Sequence, residues 1–355
     1  MTLPTEPIGS IPRPAELIAG MQQAADGGIS EGELEALFDQ AVRDTVAEFE
    51  ATGSPVITDG EQRKPSFATY PIAGLDTLAA DGVVIPFADG HTRQLPVLTA
   101  GPFRYRTHAE SYLVAARRVA TRPVKQAVIS ASAMSLLYPA DGIEGYSRDA
   151  FSVDLVDEAE ADIRGALDAG AHSVQIDFTE ARLSLKLDPS GGLLRNFVEL
   201  NNQVLDRFTA DERRQRLGVH SCPGGDHDST HSADIDYAEL LPLLFDLHAG
   251  SFYLELAGEH DPEAVLAAIA ANLRPDQRVF VGVTDPIDPE VETAEQVRDR
   301  ILLAAKHIPV AQLGTTDDCG VSPFADDSGT ARATAFAKIR ARIKGTELAS
   351  ERLGV

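Results

Sequence analysis

Tryptophan is absent from the 355 residues, and cysteine occurs only twice, at Cys222 and Cys319. Two cysteines in a chain of this length exclude a disulfide framework. Basic side chains are scarce as well: 31 Lys and Arg stand against 55 Asp and Glu, a formal charge of −24. That balance lacks the cationic footprint needed to neutralise phosphates, so nucleic acid is excluded as a partner. An anionic membrane surface would repel it for the same reason. No apolar run approaches the roughly 20 residues of a membrane-spanning helix. The segment 1–13 lacks the charged-then-apolar order of a secretory signal, so the expectation is a cytoplasmic protein. Also missing are the GxGxxG and P-loop patterns that announce a nucleotide on an open doubly wound sheet.

What is present is an apolar fraction of 43%, enough for a full core, and a regular alternation of elements. Short β-branched runs fall at 55–58, 96–100, 126–131, 173–178, 217–222, 251–256, 279–284 and 310–315. Amphipathic stretches lie between them, at 149–169, 236–248, 262–273, 292–306 and 328–344. Another at 30–51 places Leu34, Leu37, Phe38, Ala41, Val42 and Phe49 near one face, with Ser30 as N-cap. Eight strands alternating with helices predict an α/β fold, a single (β/α)₈ TIM barrel over 1–355. The surplus length is assigned to an N-terminal helical arm, 1–54, and to an inserted hairpin at about 75–105.

In such a barrel the chemistry sits at the carboxyl ends of the strands. Strand one ends in Thr58-Asp59-Gly60-Glu61, strand four in Asp177, with Glu180 and Arg182 just beyond, and strand five in His220-Ser221-Cys222. Strand six carries Glu255, strand seven runs into Asp285, and strand eight leads to Asp317-Asp318-Cys319-Gly320. Both cysteines therefore fall on one face. Residues i and i+2 of a strand point the same way, so His220 and Cys222 can share an ion, to which Cys319 and Glu255 add a thiolate and a carboxylate. This mixture of nitrogen, sulfur and oxygen suits zinc. The bland alternative is two buried small hydrophobes and one satisfied core histidine. Two thiolates leave a bound zinc a poor acid for water but well able to hold a further thiolate that stays nucleophilic, which points to alkyl transfer onto a thiol. Arg13, Arg63 and Lys64 either bind a substrate carboxylate or serve as ion-pair partners in an acidic chain.

The ordered set Ile8-Gly9-Ser10-x-Pro12, Asp59-Gly60-Glu61, Gln175-Ile176-Asp177, His220-x-Cys222, an isolated Glu255 and Asp318-Cys319-Gly320 resembles the C-terminal catalytic barrel of cobalamin-independent methionine synthase and its single-barrel relatives. The resemblance implies zinc (Zn2+) on His220, Cys222, Glu255 and Cys319, contact of Ile8, Gly9 and Ser10 with a thiol substrate, and a grip of Glu61 and Asp177 on the ammonium of homocysteine. Two carboxylates suit that cation and disfavour a sulfonate thiol. The chain has room for one barrel where full-length synthases have two. The family's folate-stacking tryptophan falls at Tyr138, its folate-binding glutamate is missing from Asp177-Phe178-Thr179-Glu180-Ala181-Arg182-Leu183, and its acid histidine falls near Ile287. Catalytic acid duty is therefore assigned to Asp285 or to His227, with His231 beside it in the same loop. The activity implied is a zinc-dependent thiol methyltransferase making methionine from homocysteine. The donor is methyltetrahydrofolate or a methylated corrinoid, the latter bringing a corrinoid protein as partner. The rivals are epoxide opening by coenzyme M, as in relatives of the family, and a non-catalytic zinc-binding barrel.

Overall fold

Period-two alternation decides which side of each strand meets the helices, and it does so across one parallel sheet. In the computed structural model, which describes residues 2–355, this sheet contains β1 (Gln126–Ile129), β2 (Val174–Asp177), β3 (Leu217–Ser221), β4 (Ser251–Leu254), β5 (Arg278–Gly282) and β6 (Leu313–Thr316). The spatial order follows the chain order, each strand hydrogen-bonding to the next. That arrangement is expected when every crossover is a helix wound the same way.

Val174, Ile176, Leu217, Val219, Phe252, Leu254, Val279 and Val281 join the main apolar core. The intervening positions turn to the opposite side. There Tyr253 and Phe280 stack at 4.7 Å and form a small separate cluster with Ile8. The same inner side carries Gln175, Asp177 and His220, all buried. Register brings Asp177 of β2 opposite His220 of β3, and His220 opposite Tyr253 of β4.

Two irregular segments flank the sheet. Ile57 makes a single parallel bridge to Val124 beside β1, and Thr5 makes one to Thr315 on β6. The Ile11 N–H donates to the Gly60 carbonyl at 3.1 Å, so the segment bearing Thr5 reaches the segment bearing Ile57. The eight regular strands expected from the sequence are thus six, and residues 96–100 are not among them. Val97–Leu98 pairs antiparallel with Leu78–Ala79, at the foot of a second antiparallel pair, Val84–Pro86 with Thr92–Gln94. A short apolar run has the same signature in a barrel wall and in an excursion from it; only the partner differs.

The N-terminal helices Ala15–Ala25 and Glu31–Ala51 precede the sheet. Ser30 caps the second in a full capping box, its Oγ accepting from the Glu33 N–H while Glu33 Oε2 accepts from the Ser30 N–H. Arg13 ties the arm down: its guanidinium donates to the carbonyls of Glu61, Lys64, Ser322 and Phe324. Among the described residues, no helix is long and apolar enough to cross a membrane.

Candidate functional site

β3 ends at Ser221, and Pro223, which has no N–H to continue a ladder, turns the chain away. Cys222 therefore stays on the inner side set by His220. The loop after β6 delivers Cys319 to the same point. The ligand atoms of His220, Cys222 and Cys319 lie within 4.8 Å of one another, with the two sulfurs 3.0 Å apart and unbonded. His220 Nδ1 lies 3.0 Å from the Tyr253 carbonyl and donates to it, which leaves Nε2 as the lone-pair nitrogen. That Nε2 is buried and has no hydrogen-bond partner. An orphaned imidazole nitrogen between two free thiols is a donor set that fits a metal ion, and a thiol-rich one fits zinc.

The three groups perturb one another. Cys319 is held well below the ordinary thiol range by a hydrogen bond from Cys222 and by the neighbouring His220, against the effect of burial. Burial pushes the Cys222 thiol up, and the Cys319 sulfur adds to that rise. Burial also pulls His220 down, but Cys319, Asp177 and the Tyr253 carbonyl together more than offset it.

Glu255 is not in this cluster. Its Oε2 accepts from Arg182 Nη1 at 3.1 Å, and the same nitrogen donates to Glu259 at 2.6 Å. Asp318, next to Cys319, accepts from the N–H groups of Leu256, Ala257 and Gly258, fastening the loop that follows Glu255 to the loop that carries Cys319. Gly282 allows this approach, since a Cβ there would fall 1.8 Å from Asp318 Oδ1.

A narrow pocket over the cluster is lined by Ile8, Ser10, Glu61, Asp177, His220 and Cys319. Glu61, in a left-handed conformation at φ 56, accepts from the buried Lys64 Nζ at 2.9 Å. Burial pushes Asp177 up to about 6; His220 and Lys64 oppose the shift and Glu61 adds to it. Gly9 does not line the pocket; its carbonyl accepts from Thr58 Oγ1 at 2.8 Å, bracing the segment from behind. Arg13 spends its terminal nitrogens on four backbone carbonyls, and the buried Lys64 Nζ donates to Glu61 and to the Ala127 carbonyl. Arg63 points outward to Asp39 and Glu35.

A larger, mainly apolar chamber of about 280 Å³ adjoins this pocket, sharing Phe67, Thr179, Gly224 and Gly225 with it. Ile85, Phe87, Arg93 and Leu95 of the inserted hairpin form one wall, Ala133, Met134 and Leu136 another, and Glu180 and His231 supply polar groups. The sequence reading missed most of these residues. Only Glu180, three residues past a strand end, and His231, in the loop after the cysteine-bearing strand end, carried a signal.

Besides Glu255 and Gly9, three further expected residues are not at the site. Tyr138 is buried behind the wall, its hydroxyl donating to the Tyr146 carbonyl at 2.6 Å and its ring packed on Phe151 at 5.1 Å. The wall-forming turn ends at Leu136, and two residues further on the Tyr138 side chain packs toward Tyr146 and Phe151 instead. His227, with a left-handed φ of 47, stands outside the chamber between Asp226, Asp327 and Arg93. Arg93 pairs with Asp226 at 2.5 Å and with Asp326 at 2.9 Å, while Asp327 accepts from the Gly329 N–H at 3.1 Å. Asp285 closes its own turn, accepting from the Ile287 N–H at 2.9 Å, and lines neither cavity.

The chain is similar to known proteins along nearly its whole length. It is 23% identical over 353 residues to a methionine synthase of Sulfurisphaera tokodaii, covering 99% of this chain and 94% of that one. It is 24% identical over 325 residues to the 5-methyltetrahydropteroyltriglutamate--homocysteine methyltransferase of Nitratidesulfovibrio vulgaris, covering 90% of this chain but 39% of that longer protein. The fold matches that of a B12-independent methionine synthase from a Shewanella species, solved with selenomethionine, at a TM-score of 0.78, 20% identity and 99% coverage of both chains. The model of the family described as cobalamin-independent synthase, catalytic domain, matches residues 3–334, and the chain belongs to that family.

Proposed function

We propose that the chain methylates the thiol of homocysteine at a zinc ion held by His220, Cys222 and Cys319. The observation that carries this reading is the grouping of those three ligand atoms, two of whose residues, His220 and Cys319, line one pocket with Glu61 and Asp177. Bound zinc would lower the pKa of an incoming thiol and keep it nucleophilic at neutral pH. Three protein ligands with Glu255 drawn off by Arg182 suit a site that keeps one position for substrate. Asp177 and the Glu61–Lys64 pair would hold the ammonium of the amino acid, orienting its thiol toward Cys319. Ile8 and Ser10 close the pocket and exclude water.

The names of the relatives support homocysteine as acceptor and an N-methyl tetrahydropterin as donor. A corrinoid donor has no support, since the family is described as cobalamin-independent. Coenzyme M is disfavoured because its sulfonate would meet two carboxylates. We further take 1–355 to be one catalytic unit, its six-stranded sheet closed into a (β/α)₈ barrel through the segments around Thr5 and Ile57. The test is direct. Zinc-loaded protein given homocysteine and the N-methyl tetrahydropterin should form methionine, and given coenzyme M and an epoxide should form nothing. Product only in the second mixture would overturn the assignment.

Asp177→Asn checks the ammonium grip. The Gln175 amide donates to Asp177 Oδ1 at 2.7 Å, and an asparagine oxygen keeps that bond. Loss of one charge-assisted hydrogen bond should raise KM for homocysteine about 10- to 100-fold, with kcat little changed. KM for the desamino analogue should not move; an equal rise for both thiols would show that Asp177 acts on the pocket and not on the ammonium.

A further inference from the structure

The chamber beside the pocket contains one carboxyl group whose bonding is incomplete. Glu180 begins the helix Glu180–Leu187, just past the end of β2, and is 5% exposed. Its Oε1 accepts from Ser130 Oγ at 2.6 Å and also from Ser132 Oγ. Ser132 is in turn fixed by Asn201, whose Nδ2 donates to its Oγ at 2.7 Å. The other oxygen, Oε2, is buried and has no partner. Among the described residues, no cation pairs with this carboxyl. Asp177 stands on the same strand end, and Arg93, across the chamber, is committed to Asp226 and Asp326.

The remaining titratable group in the wall cannot donate. His231 Nδ1 lies 2.9 Å from Ser232 Oγ, and that hydroxyl spends its own proton on the Pro223 carbonyl. The imidazole N–H must therefore sit on Nδ1 and point at Ser232, which leaves Nε2 a bare acceptor. Burial, with Lys186 and Arg182 nearby, lowers His231 to about 4, so it stays neutral. Burial pushes Glu180 up to about 7, against the two serine hydrogen bonds, so a large share carries a proton at neutral pH. An acid duty that the sequence had assigned to His227 or Asp285 thus has a different candidate, inside the chamber.

We infer that Glu180 protonates the leaving nitrogen of an N-methyl donor held in the chamber, a role that rests on the methyl transfer proposed above. As the S–CH3 bond forms, the CH3–N bond breaks and its electron pair stays on nitrogen. That nitrogen takes the Oε2 proton and leaves as a neutral amine. Glu180, now a carboxylate, recovers a proton equivalent to the one the acceptor thiol lost on becoming a thiolate, so the cycle closes without a net proton.

The experiment compares wild type and Glu180→Gln, both zinc-loaded, with homocysteine and two donors. One is the N-methyl tetrahydropterin; the other is methyl iodide, whose iodide leaves without a proton. The expected result is a fall of about 10²-fold or more with the first donor, the usual scale for a general acid, and a change within about twofold with the second. The rate with the N-methyl donor should also decline in wild type as pH rises through about 7, where Glu180 ionises. That limb should vanish in the variant. Glu180→Asp, which retains an acid, should recover part of the rate. Equal losses with both donors, or none with either, overturn the inference and leave the thiol methylation standing. Wild type inert toward both donors overturns the methylation itself.

Discussion

Replacing Cys222 and Cys319 together by serine should abolish stoichiometric metal binding and methionine formation while the chain stays folded. Wild-type protein purified under reducing conditions should hold about one zinc ion per chain. The double variant should retain almost none after dialysis, and its rate with either donor should fall by at least about 10³-fold, beyond the 10- to 100-fold typical of losing a partner outside the ligand set. The fold should survive because the two sulfurs are not covalently joined and serine keeps nearly the size of cysteine at both positions. Binding should also release protons. In the metal-free chain the raised pKa of His220 and that of Cys222 both favour protonated forms, and a metal ion displaces those protons. Affinity should therefore rise with pH. Stoichiometric zinc in the double variant, measured by metal analysis, would place the ion elsewhere.

The strand periodicity that makes His220 and Cys222 partners could be read directly, since alternation fixes the side of a strand without knowledge of its neighbours. Asp177, Glu61 and Cys319 followed from one further assumption, that strand ends converge. What the sequence could not supply was the direction taken once a strand had ended. Glu255 lies on the inner side as expected, yet a guanidinium five residues past Asp177 draws it off; no local pattern encodes a pairing across that distance. Tyr138 and His227 failed for the same reason: each lies in a turn whose path depends on tertiary contacts. Val97–Leu98 has the composition of a wall strand, and only its antiparallel partner shows otherwise. The N-terminal segment failed in the opposite sense. Pro4, Pro7 and Pro12 break any strand pattern in it, and it nonetheless bridges to β6 through Thr5.

Arg182→Met should destabilise the fold by about 3–5 kcal/mol, the scale for removing one partner of a buried ion pair. Arg182 is 2% exposed and packs against the Tyr237 ring at 5.0 Å. Its donors reach Glu255, Glu259, the Ile235 carbonyl twice and the Ala233 carbonyl. Methionine replaces the stem but none of these bonds, and it strands two carboxyl groups. Burial pushes both Glu255 and Glu259 up in the folded state, and Arg182 is what restrains the rise. A carboxyl whose folded pKa exceeds its unfolded value favours folding at low pH and opposes it as pH rises through the folded pKa. Without the guanidinium both should rise further, so the deficit should be larger at pH 8 than near pH 5. Denaturant melts of both proteins with a chelator present, which removes any contribution from metal, would measure it. A deficit independent of pH would mean that Arg182 acts through packing and its bonds to the two backbone carbonyls, and that Glu255 does not depend on its charge.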